Sequence, residues 1–103
     1  MKNLILSAIL LTSSLAMANE RVEVSDIQVV SNGAYSSITG VAKNISKVPI
    51  GNLFVKFKLY RGGEVVGNTL AHGADIGPGE RFRFSAPTTE RFDEAKLSAV
   101  DVY

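Results

Sequence analysis

The chain has 103 residues, with eleven lysines and arginines against ten aspartates and glutamates, a single histidine and no cysteine. That balance gives no long-range attraction toward nucleic acid or an anionic membrane surface, and the missing cysteine excludes disulfides, thiolate metal centres and the lipid-attachment residue of a bacterial lipoprotein. The length suits one small domain and no more.

Lys2, an uncharged leucine-rich run from Leu4 to Leu15 and the small residues of Ala16-Met17-Ala18 stand in the order of a secretory signal peptide, so cleavage after Ala18 is expected. The run is shorter than the about 20 apolar residues of a spanning helix. No second hydrophobic span follows, so the product is expected to be periplasmic or secreted with no membrane span. Removing the 18 leader residues from 103 leaves 85, and losing Lys2 leaves ten basic against ten acidic residues. A domain of this size buries only about 60 to 65 % of the surface its unfolded chain exposes. With no disulfide to help, packing and sheet closure alone must hold it together.

Beyond the leader the apolar period is two almost everywhere, which predicts an antiparallel all-β domain with no helix longer than a turn or two. Val22 and Val24 point one way, and Ile27 and Val29 are out of phase with them, so a bulge or a change of sheet is expected near Ser25-Asp26. After a turn at Ser31-Asn32-Gly33, the next strand places Ile38, Gly40 and Ala42 on one face, Gly40 allowing close approach of a large side chain. Asn44 to Gly51, containing Pro49, reads as a loop. Leu53, Val55, Phe57 and Leu59 form the clearest buried face and mark a central strand, with Phe54, Lys56, Lys58 and Tyr60 opposite. Gly62-Gly63 suits a two-residue hairpin turn, flanked by Arg61 and Glu64 as a cross-strand charge pair. Val65 to Ala71 is expected to pair back, His72 to Gly77 to make a short crossing segment anchored by Ile76, and Pro78-Gly79 to turn. Arg81 to Phe84 then places Phe82 and Phe84 inward and the arginines outward. Pro87 to Ala95 reads as a polar connection with room for one helical turn, and Leu97 to Tyr103 as a closing strand with Val100 and Val102 buried. Together these segments predict an immunoglobulin-like antiparallel β-sandwich of about seven strands.

Several of these segments carry a family resemblance. Gly40-Val41-Ala42-Lys43-Asn44-Ile45-Ser46, the strand Phe57-Lys58-Leu59-Tyr60, Val65-Val66-Gly67 after a glycine turn, and Ile76-Gly77-Pro78-Gly79-Glu80 ahead of Phe82-Arg83-Phe84 together resemble the FxLYD domain. That family comprises small bacterial and archaeal extracytoplasmic modules regarded as immunoglobulin-like. The resemblance spans nearly all of residues 19–103 and rests on joint spacing. It departs at Arg61, where the family name has Asp, which leaves the paired glycines to carry the reversal. It implies a fold and a location but no catalytic or cofactor residues.

No residue pattern supplies chemistry. His72 with Asp75 would be half of a nucleophile-activating pair, but no serine sits in a strand-to-helix elbow, and a loop histidine is the plainer reading. Glu20 with Glu23 and Asp93 with Glu94 lie at a terminus and in a connection, not across a cleft as glycosidase chemistry requires. Both methionines, Met1 and Met17, fall in the leader, which leaves His72 alone as a soft-metal ligand. Asp26, Asp75, Asp93 and Asp101 lack calcium-loop spacing. Catalytic, cofactor and metal sites are therefore all read as none. Asn44-Ile45-Ser46 matches a glycosylation sequon and is read as loop chemistry.

What remains is a surface. Phe54, Lys56, Lys58 and Tyr60 share the outward face of the central strand, and Asp101 and Tyr103 join them if the closing strand lies alongside. An ordinary solvated sheet face is the plain reading; a partner-binding patch of aromatic anchors rimmed by charge is the functional one. The chain thus reads as an exported, non-enzymatic binding module of the bacterial cell envelope, its partner another envelope or secreted protein, or a glycan. One alternative is an inhibitor or immunity-type protein for a secreted hydrolase, using an exposed rigid loop at His72 to Gly77. A hydrolase with an unrecognised site is the other.

Overall fold

The computed structural model describes residues 16–103, with backbone alone for 16–18. The leader expected over residues 1–18 therefore lies outside the described residues but for the backbone of 16–18. A four-residue strand, β1 (Ala16–Asn19), straddles the expected cleavage point and is followed by six longer strands. These are β2 (Val22–Asn32), β3 (Tyr35–Asn44), β4 (Ile50–Arg61), β5 (Glu64–Ile76), β6 (Arg81–Thr88) and β7 (Glu94–Val102). They form two antiparallel sheets, one ordered β1-β2-β3-β6 and the other β5-β4-β7. The all-β expectation holds, and β4 is central in its sheet.

From Val22 onward the domain has six strands where about seven were expected. The difference lies in residues 72–76, which continue β5 instead of crossing between sheets. Their partner is the start of β4, which begins at Ile50 and not after Gly51, so that Asn52 faces Ala74, Phe54 faces His72 and Ile50 faces Ile76. Asp75 takes a left-handed φ of 52°, which turns the last residue inward and buries Ile76. Nor does the first strand divide. The phase change between Val24 and Ile27 is absorbed by a register shift between Ser25 and Gln28, with Asp26 at φ 54°, and β2 pairs with β3 on both sides of it. Aspartate is among the few side chains that accept this conformation readily. The one helical turn allowed for between Pro87 and Ala95 is not formed. Pro87 and Thr88 extend β6, and Glu94 and Ala95 begin β7.

The core lies between the sheets. Val22, Val24, Ile38 and Ala42 from one and Leu53, Val55, Phe57 and Leu59 from the other are fully buried. The Phe57 and Phe84 rings meet across the gap with centroids 5.8 Å apart. Gly40 lies beneath Phe84: a β-carbon there would stand 2.5 Å from Cζ of the ring, which is the physical reason this position carries no side chain. Phe82 and Val102, expected inside, are half-buried at the core's margin. Gly62 and Gly63, at φ 60° and 84°, supply the two positive-φ residues of a type I′ hairpin turn. Arg61 and Glu64 face each other across it but form no ion pair; the turn is held from outside, by the Asp93 carboxylate accepting the Gly62 N–H at 3.1 Å.

Asn44 ties two connections together at one end of the domain. Its side chain is 1 % exposed. Nδ2 donates to the Val48 carbonyl at 2.9 Å and the Ile76 carbonyl at 3.0 Å, while Oδ1 accepts the Ser46 N–H at 2.9 Å and the Ser46 hydroxyl at 2.7 Å. The sequon-like Asn44-Ile45-Ser46 is thus a structural clamp, with every amide hydrogen and lone pair in use.

Candidate functional site

Pairing with β4 decides which side chains share its outward face. Along β4 the burial alternation puts Leu53, Val55, Phe57 and Leu59 inside, so Phe54, Lys56, Lys58 and Tyr60 project from the outer face of the β5-β4-β7 sheet. Asp101 is directly opposite Phe54 on β7. The ladder is continued past β7 by a reciprocal backbone pair between Asn52 and Tyr103 at 2.9 and 3.1 Å. All six residues singled out from the sequence therefore lie on this sheet's outer side.

Their contacts are specific. Lys56 Nζ is 2.8 Å from Asp101 Oδ2, and this carboxylate, first by its hydrogen bond and then by its charge, holds the Lys56 ammonium above its usual range. While that carboxylate is ionised, a raised lysine contributes its stability below the unfolded value and loses it as pH rises through the folded-state value, so the Lys56 ammonium is charged at neutrality. The two side chains are 41 % and 35 % exposed, so solvent screens the pair and it fixes geometry more than it adds stability. The Phe54 ring meets the Tyr103 ring edge-on with centroids 5.8 Å apart. Tyr103 is 72 % exposed.

Two further side chains belong to the face and were missed in the sequence. His72, expected in a crossing segment, stands opposite Phe54 on β5 and stacks on it, centroids 4.8 Å apart and planes 28° apart. Its Nε2 is 3.0 Å from Asn52 Oδ1, so the ring's hydrogen bond goes there and not to Asp75. Lys96 faces Lys58 across the β4–β7 ladder, and its ammonium sits 5.1 Å from the centroid of the Tyr60 ring. Strict alternation back from Val100 and Val102 would have turned Lys96 inward. A register shift between Lys56 and Phe57 inserts Ser98 as an extra residue in β7, and its hydroxyl donates to the Lys56 carbonyl at 3.2 Å. The signal was present: Ala95 and Leu97 are out of phase with Val100 and Val102, as Val22 and Val24 are with Ile27 and Val29.

The result is a band with an aromatic group at each end, Phe54-His72-Tyr103 and Tyr60, about 20 Å apart at the strand repeat, and lysines between. A polar cavity of about 560 Å³ lies elsewhere, where Tyr35, Arg61, Arg91 and Asp93 meet beside the hairpin turns; its Asp93 is committed to the Gly62 turn. Among the described residues no three histidine, aspartate or glutamate side chains are grouped to hold a metal. Comparison with family models, with curated proteins and with solved structures yields no match.

Proposed function

We propose that the chain is an exported, non-enzymatic interaction module of the bacterial cell envelope, built as an FxLYD-like immunoglobulin-like domain, and that it binds its partner through the outer face of the β5-β4-β7 sheet. One observation carries the reading: the Phe54, His72 and Tyr103 rings are gathered beside the Lys56–Asp101 ion pair on a single exposed sheet face. Aromatic anchors bordered by charge concentrate binding energy in protein interfaces, and rings held by their neighbours lose less freedom on binding.

The inhibitor reading needed an exposed loop at His72 to Gly77, and residues 72–76 are strand; no observation favours it or a hydrolase over a binding face. The test is capture of the partner from a periplasmic extract of the producing cell. Phe54→Ser and Tyr60→Ala should each weaken capture by about 1 to 2 kcal/mol with the thermal transition retained, and the Arg81→Ala/Arg83→Ala variant, altered on the other sheet, should bind as the parent does. Loss of capture in the arginine variant alone would place the interface on the wrong sheet.

A further inference from the structure

Lys58 and Lys96 are direct cross-strand neighbours, an arrangement that is destabilising for like charges. Neither has a carboxylate within ion-pair distance among the described residues, where the Lys56–Asp101 bridge uses the acid on this part of the face. Glu94 shares the outer side of β7 with Lys96 but stands opposite Tyr60, about 7 Å along the strand. Tyr60 eases the repulsion by receiving the Lys96 ammonium over its ring. Lys58 has no such partner. Beside it is a depression of about 280 Å³ lined by Lys56, Lys58, Asn68, Thr69, Leu70 and Ser98. Asn68 is the β5 residue opposite Lys58, so an amide, an exposed leucine and the unpaired Lys58 border one shallow hollow, whose other lysine, Lys56, is held by Asp101; Lys96 stands outside it, next to Lys58 on β7.

We infer that the Lys58–Lys96 pair and the hollow beside it receive an acidic protein segment, one carboxylate bridging the two lysines at the hollow's edge while an adjoining apolar side chain covers Leu70. The inference rests on the proposed binding face and names the chemistry of its partner. Charge complementarity argues for an anion, because a carboxylate shared by these two cross-strand lysines adds two attractions where the fold leaves a like-charge pair. The rings argue for peptide over sugar. Stacking of a pyranose needs an open aromatic face, and of the rings on either side of the hollow His72 covers one side of Phe54 and Lys96 sits over Tyr60, while the open Tyr103 ring lies past Phe54 at the end of the band. Leu70, 45 % exposed, gives an apolar side chain somewhere to pack.

The inference is tested by titrating the isotope-labelled exported protein with polyglutamate, polygalacturonate and phosphatidylglycerol vesicles while following its amide resonances. Polyglutamate should bind saturably, shift Lys58, Asn68 and Lys96, and weaken with added salt as exposed pairs do. The Lys58→Gln/Lys96→Gln variant should bind polyglutamate about tenfold more weakly, as two lost exposed pairs allow, yet be no less stable because the substitution removes the repulsion. Arg81→Gln/Arg83→Gln should leave binding unchanged. Absence of saturable binding, shifts centred on Arg81 and Arg83, or tighter binding of polygalacturonate or vesicles would each overturn the inference. If Phe54→Ser still weakens partner capture in that event, the binding face stands and only its acidic partner is lost; if Phe54→Ser has no effect, the face itself falls.

Discussion

Replacing Asn44 should be among the most damaging polar substitutions in the domain. Asn44→Ala removes four hydrogen bonds at once. The Ile76 carbonyl is buried where it loses its donor, at about 1 to 3 kcal/mol for an unsatisfied group, and the three part-buried bonds contribute about 0.5 to 1.5 kcal/mol each, less what water recovers. A loss of about 3 to 5 kcal/mol is expected, against a total of roughly 5 to 15 for a small domain. Asn44→Asp separates hydrogen bonding from volume. It keeps an acceptor for Ser46 but sets a second carboxylate oxygen against the Val48 and Ile76 carbonyls in a site 1 % exposed. Burial and those carbonyls disfavour the charged form and raise its folded pKa above the unfolded value of about 3.9. A raised carboxyl is best tolerated below the unfolded pKa and destabilises progressively as pH rises through the folded one. The Asp variant should therefore be distinctly weaker at pH 7 than at pH 4, relative to the parent. Urea titration of both variants at both pH values provides the measurement. An Ala variant within about 1 kcal/mol of the parent, or an Asp variant with no pH dependence of its own, would show that the two connections hold without the clamp.

Three other outcomes are expected, two from the core and one from the sequence of the leader. Phe57→Ala empties the centre of the core beside Phe84 and should lose about 3 to 5 kcal/mol by denaturant titration; a loss near 1 would mean that the core closes around the gap. Gly40→Ala should destabilise by about 1 to 3 kcal/mol by driving a methyl into the Phe84 ring, and Gly40→Ala combined with Phe84→Leu should recover part of that loss if the ring is the cause. Protein recovered from the producing cell should begin at Asn19 by intact-mass analysis, and full-length chain held in the membrane fraction would refute cleavage after Ala18.

The inward residues of β4 were readable because one unbroken alternation, Leu53 to Leu59, determines both faces at once. The bulge near Asp26 was readable because apolar residues on its two sides disagree in phase. Strand ends were not. Ile50 to Asn52 and His72 to Ile76 stabilise each other as strand through their mutual pairing, a non-local term that the local loop signal at Pro49 conceals. The candidate face divides in the same way. Phe54, Lys56, Lys58 and Tyr60 follow from parity within one strand. His72 and Lys96 reach the face through the β5 pairing and the Ser98 insertion, which depend on register between strands.

The edges of the two sheets offer less than their outer faces do. A long regular edge invites another strand, but each edge here is interrupted. Ser98 breaks the register of β7, Val66 is an extra residue between the β5 partners of Leu59 and Tyr60, and Asp26 bends β2, which becomes an edge if the expected leader, with most of β1, is removed. In β6, Pro87 lacks a backbone donor and its carbonyl already accepts Thr69 Oγ1 at 2.6 Å, which ties the β6 edge to β5. On the opposite side Asn19 Nδ2 donates to the Val100 carbonyl at 3.1 Å, using one of the acceptors along β7. With strand addition hindered at these places, side-chain recognition across a sheet face is the more open route to a partner. Of the two faces, the one over β4 combines ordered rings with cations that the fold leaves without carboxylates.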